Sequence, residues 1–176
     1  MKLLPALSFL LIQLAATMPA SAAIITYNVN LSGTQSVPAN ASTASGTATV
    51  VVDDFANTVF LDLNFTGLIG GNASAAHIHC CVAVDANGPV VIPFTGFPAA
   101  SSGTYTNTFT NVSVANIAGI EAGLAYINIH DAVFPGGEIR GDILNVATPE
   151  PASFSLVGLG VLAFIGARTR RSRAAR

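Results

Sequence analysis

The chain has 176 residues, of which 51% are hydrophobic and only 9% charged. That length allows one domain of ordinary size with short appendages, and the charged fraction lies far below the roughly 25% of an average soluble protein. Net charge is -2, but residues 23–147 hold a single base, Arg140, against Asp53, Asp54, Asp62, Asp85, Glu121, Asp131, Glu138 and Asp142. Such a domain cannot neutralise several phosphates, which excludes nucleic acid as a partner.

Residues 1–22 read as a secretory signal peptide. Lys2 supplies a basic start, residues 3–16 are apolar, and Ala20-Ser21-Ala22 has the small residues of a cleavage site, so the domain is expected to begin at Ala23. From there to residue 147 the pattern has period two. Ile25, Tyr27, Val29 and Leu31 alternate with Thr26, Asn28, Asn30 and Ser32; Val59, Leu61, Leu63 and Phe65 alternate with Phe60, Asp62, Asn64 and Thr66. These are half-buried strands, and residues 46–53, 75–84, 89–94, 103–112, 124–130 and 137–145 read alike. Turn signals separate them, among them Gly70-Gly71-Asn72, Asp85-Ala86-Asn87-Gly88 and Pro135-Gly136-Gly137. One helix is expected at 113–122, with Ser113 as N-cap. The expected fold is all-β, an antiparallel Greek-key-like sandwich with one short helix.

The alternation also assigns faces. In 75–84, Ile78, Cys80, Val82 and Val84 point to the core, while His77, His79 and Cys81 point away. Tyr126, Asn128 and His130 on the next-to-last strand, and Glu138, Arg140 and Asp142 on the last, also point away from the core. If these strands are neighbours, one outer face carries nearly all the domain's distinctive polar groups. His-x-His on a strand sets both imidazoles on one side, a spacing suited to zinc or copper. His77, His79, His130 and Cys81 are therefore candidate ligands, with Glu138 a remoter oxygen donor. The competing reading is a surface hydrogen-bonded network in which Tyr126, Asn128, Glu138, Arg140 and Asp142 orient the histidines. Cys80 and Cys81 are the only cysteines. A vicinal disulfide, two free thiols and an intermolecular link all stay open, the first requiring a break in the strand. Nothing marks a serine nucleophile, a carboxylate pair or a complete calcium loop, so a non-enzymatic role is expected, with a metal-dependent or redox protein centred on His77, His79 and His130 as the alternative.

The C-terminal segment, 148–176, combines Pro149-Glu150-Pro151, an apolar run at about 152–167, and Arg168, Arg170, Arg171 and Arg173. The prolines stop any helix continuing from the domain, and the run would make a transmembrane helix of about 24 Å held by arginines on the cytoplasmic side. In this order the three features resemble the PEP-CTERM sorting signal of Gram-negative bacteria. The resemblance implies a processing partner, an exosortase of the inner membrane, and a destination at the cell surface or in the extracellular matrix, with exopolysaccharide or matrix proteins as neighbours.

The domain carries a resemblance of its own. Leu31-Ser-Gly-Thr-Gln-Ser-Val-Pro38, Ser45-Gly-Thr-Ala48, Gly67-Leu68, Ala76-His-Ile-His79, Tyr126-Ile-Asn-Ile-His130 and Gly137-Glu-Ile-Arg-Gly141 occur in the order of the CHRD domain, first recognised in chordin. Ser36 stands where an acidic residue is usual, and Cys80-Cys81 where a glycine is usual. The resemblance implies a β-rich extracellular module at 23–147 with a binding or structural role. The His-x-His strand is also similar to one in copper/zinc superoxide dismutases, whose remaining ligands are not recognisable in this chain.

Overall fold

The structure is a computed structural model, and it describes residues 23–144. The expected signal peptide and the apolar helix of the tail lie outside the described residues. Eight strands follow in chain order: β1 (Ile24–Ser32), β2 (Ser45–Asp53), β3 (Thr58–Thr66), β4 (Ala75–His79), β5 (Val90–Pro93), β6 (Gly103–Phe109), β7 (Ala125–His130) and β8 (Ile139–Ile143). A single turn of 3-10 helix at Gly33–Gln35 follows β1, and one α-helix, α1 (Val114–Glu121), precedes β7. Ser113 caps α1 by accepting the Asn116 N–H on its side chain. All pairings are antiparallel, as expected.

The strands form one sheet, in the order β5-β4-β7-β8-β1-β2-β3-β6, rather than the two sheets of a sandwich. The join is β1, which pairs with β2 along its whole length and reaches β8 at Ser32 opposite Arg140. Curled on itself, the sheet encloses one apolar core and is nearly closed. The core is built from the alternating residues the pattern singles out, including Tyr27, Val29, Leu31, Val50, Leu61, Leu63, Ile78, Ile127, Ile129, Ile139 and Ile143. The edge strands β5 and β6 do not pair, and aromatic rings span the gap. Phe94 lies 5.3 Å from Tyr105 and 5.6 Å from Phe109, Phe97 stacks on Phe65 at 5.1 Å, and the Tyr105 hydroxyl donates to the Thr95 carbonyl at 3.0 Å. These rings close the core between the two unpaired edges.

The segment expected as one strand over 75–84 ends at His79. Cys80 and Cys81 form a disulfide and are joined by a cis peptide bond. Adjacent residues of a strand point to opposite faces, so two bonded sulfurs cannot stay within one. Cys80 stays in the core and Cys81 reaches the surface. Both sulfurs rest on α1 at Gly119, where a Cβ atom would fall on top of them. Ile117 and Ile120 of the same helix pack into the core. Gly119→Ala should therefore lower unfolding stability by about 1–3 kcal/mol through overpacking. Chemical denaturation checks this, and an unchanged midpoint would mean that the disulfide does not bear on the helix.

Candidate metal centre

The polar groups of β4, β7 and β8 do share one face, because the registers bring them side by side. His77 lies opposite Asn128 and Asn128 opposite Arg140; His79 lies opposite Tyr126 and Tyr126 opposite Asp142; His130 lies opposite Ala75. The face is not a surface, however. Tyr126, Asn128, Glu138 and Arg140 are 2%, 4%, 0% and 1% exposed, and His79 is 8% exposed. Alternation tells which side of a strand is turned from the core but not what lies on top, and loops cover this half of the sheet. The other half, over β1, β2, β3 and β6, is open. There Asn28, Asn30, Thr47, Asp62, Asn64 and Thr104 line a shallow groove of about 430 Å³.

Most polar side chains of the covered half grip the backbone of a covering loop. Glu138 accepts the N–H groups of Ile69 at 2.8 Å and Gly70 at 3.3 Å and the Ser42 hydroxyl, while its carbonyl takes Ser36 Oγ at 3.1 Å and Asn40 Nδ2 at 2.9 Å. Arg140 donates to the Ala86 carbonyl at 3.0 Å and pairs with Asp142 through Nε and Nη2, at 3.0 and 2.8 Å. Its guanidinium lies 3.6 Å from the centre of the Tyr126 ring, which also stacks nearly parallel to His79 at 4.6 Å. The Gly88 peptide ties this stack together, donating to the Tyr126 hydroxyl at 3.1 Å and accepting from His79 Nδ1 at 2.9 Å. Asn128 Nδ2 donates to the Gly136 carbonyl at 3.2 Å, and His130 Nδ1 donates to the Pro135 carbonyl at 2.9 Å.

Of the expected site residues, His77, His79 and His130 come together, with one ring nitrogen of each within 4.8 Å of the others. Their ring centres are 5.2 to 6.3 Å apart. A carbonyl can only accept, so Gly88 and Pro135 fix the Nδ1–H tautomer of His79 and His130 and leave a bare lone pair on Nε2. His79 Nε2, His130 Nε2 and His77 Nδ1 are all buried without a hydrogen-bond partner. Burial, followed by the neighbouring charges of His130 and His79, holds the His77 pKa below its ordinary value. Burial is also the main cause for His79, opposed by the Gly88 carbonyl and reinforced by His130 and Arg140. Neutral imidazoles with free lone pairs, backed by carbonyls on the far nitrogen, are what a zinc or copper ion requires. Nitrogens around a shared tetrahedral ion sit about 3.4 Å apart, and these lie within 4.8 Å of one another. The donor set therefore fits such an ion.

Two expectations are corrected. Cys81 is not a ligand: its sulfur is bonded to Cys80 and turned toward α1, away from the histidines. Glu138 is not a remote donor either, because its carboxylate is taken up by the 69–70 segment and Ser42. Nor do Glu138, Arg140 and Asp142 touch the histidines by hydrogen bonds; backbone carbonyls perform that role. Gly88 is the contributor that sequence reasoning passes over. Its signal is the Asp85-Ala86-Asn87-Gly88 turn following a histidine strand, which the sequence marks only as a turn. Gly137 matters for a similar reason: it has φ +113°, and a Cβ would fall on the Asn128 amide.

An antiparallel, nearly closed β-barrel with a buried polar network beneath its loops defines the class of protein. The family model of the CHRD domain matches residues 27–143, and the chain belongs to that family. The PEP-CTERM protein-sorting motif matches residues 147–171. It marks an exported, membrane-anchored precursor that an exosortase system processes toward the cell surface. Among curated proteins and solved structures, none matches the chain.

Two predictions follow from the charges of this face. With both His77 and His79 held below the 6.5 of the unfolded chain, the unfolded state binds more protons at mildly acidic pH. The metal-free protein should thus keep its full stability above pH 6.5 and lose it as pH falls toward the lowered values. Unfolding midpoints from pH 7.5 to 5 measure this, and His77→Gln should flatten the slope. Asp142→Ala should cost about 3–5 kcal/mol by leaving the buried Arg140 guanidinium without its counter-charge. Denaturation of that variant provides the check.

Proposed function

We propose that this chain is a non-enzymatic binding module of the cell surface or extracellular matrix, and that its histidine patch binds one zinc or copper ion. The observation that carries the reading is the convergence of three buried, partnerless imidazole nitrogens, two of them on rings whose other nitrogen is tied to a loop carbonyl. A network closed within the protein would pair those nitrogens with protein donors, since a buried lone pair without a partner is unfavourable. The sorting motif supports the location, because it directs the precursor outward. A non-enzymatic role agrees with the commitment of Glu138, Arg140 and Asp142 to loops and to each other.

Full-length protein purified without chelator should take up one equivalent of zinc or copper, measured by elemental analysis after titration and desalting. His77→Ala and His130→Ala should each abolish stoichiometric uptake, and Tyr126→Phe, which removes the acceptor for Gly88, should weaken it about 10-fold or more. Absence of stoichiometric metal in the parent chain would falsify the binding half of the reading. A chain confined to the cytoplasm on cell fractionation would sink the other half.

A further inference from the structure

We propose that the ion held by His77, His79 and His130 keeps one coordination position free of protein donors, and that this position takes a small anion. The inference rests on the metal-binding reading and deepens it. It comes from exhausting the donors. All three histidines of the chain are already in the cluster, and both cysteines are spent in the disulfide. Glu138 and Asp142 are engaged with the 69–70 loop and with Arg140, and Asp131, next to His130 in the chain, accepts the Val133 and Phe134 N–H groups and lies outside the cluster. Asn128 stands opposite His77, but its amide faces the 136–137 segment, donating to Gly136 and abutting Gly137. The described residues thus offer three nitrogens to an ion that takes four or more ligands, the arrangement of sites that exchange ligands rather than of closed structural ones.

The three donor nitrogens are buried, so a ligand reaches them past the rings of His77 and His130, which are only partly buried. Ala75 points to the same side as His77 and lies opposite His130, so only a methyl group occupies that corner of the patch. Beside it an open cleft of about 250 Å³ runs along His77 between Ser74, Pro93 and Thr95. The chemistry of the occupant follows from charge. Three neutral imidazoles leave the full double charge of the ion uncompensated, and the nearest guanidinium, Arg140, is already paired with Asp142. An anionic donor small enough for the cleft is the ligand favoured at the open position.

The test uses the full-length chain in detergent, loaded with one equivalent of Cu(II) and titrated with sodium azide. A new azide-to-copper charge-transfer band that saturates at one azide per copper is expected. Ala75→Phe should keep the copper but weaken azide binding by roughly tenfold or more, because the ring fills the open corner. Thr95→Trp, at the exposed rim of the cleft, gives the same comparison if the first variant does not fold. Copper that stays bound without any azide band would overturn the open position while leaving metal binding intact. Azide binding untouched by both variants would overturn its placement beside Ala75. A chain that takes up no copper overturns both readings.

Discussion

The covered half of the sheet depends on a buried charge, the guanidinium of Arg140. It is the only base of residues 23–147 and is 1% exposed. A cation in that setting needs a counter-charge and partners for its N–H groups, and those needs shape its surroundings. Asp142 neutralises it from the same strand, Ala86 takes the outward N–H, and the Tyr126 face lies against the plane. Satisfying Arg140 therefore brings the 85–88 loop down over β7 and β8. Once down, that loop presents Gly88 to Tyr126 and to His79. Glu138 acts likewise on the 36–42 and 69–70 segments, and Asn87 Nδ2 links two of the covers by donating to the Val37 carbonyl at 2.9 Å.

The same reasoning explains what could be read in advance. Period-two alternation is a statement about two sides of a strand, so it names the core residues of β1, β3, β7 and β8 correctly and gathers the histidines on one side. It contains no information about loops. Asn28 and Asn128 look alike in the pattern, yet the first is exposed and the second 4% exposed, because the 135–137 turn folds back over only one of them. Ser36 was legible only as a departure from an acidic residue; in the fold its hydroxyl secures the Glu138 carbonyl. Sheet count escaped for a related reason. Whether strands make one sheet or two depends on β1 pairing with β8 at Ser32, a contact across more than a hundred residues that no local signal encodes.

The cysteine pair separates two things that the sequence runs together. His79 and Cys80 are neighbours in the chain, but His79 faces the polar network and Cys80 the core. The disulfide ends β4 immediately after the second histidine, and the chain leaves toward α1 instead of continuing as a strand. That exit gives residues 82–88 the freedom to cross back over Tyr126, a path a continuous 75–84 strand would forbid. The two cysteines thus bear on the histidine site through chain direction, not through their sulfurs.

A last consequence concerns when the histidine site comes into being. In small zinc domains the ion gathers ligands that otherwise lie far apart, so binding and folding are one event. Here His77 and His79 are placed by β4 and His130 by β7, while the Gly88 and Pro135 carbonyls orient two of the rings. None of those interactions involves an ion. The site is assembled by the apolar core and by the loops that Arg140 and Glu138 hold, and the lone pairs left over are a by-product of that assembly. The geometry of the three rings is therefore a property of the fold itself, complete before any ligand arrives.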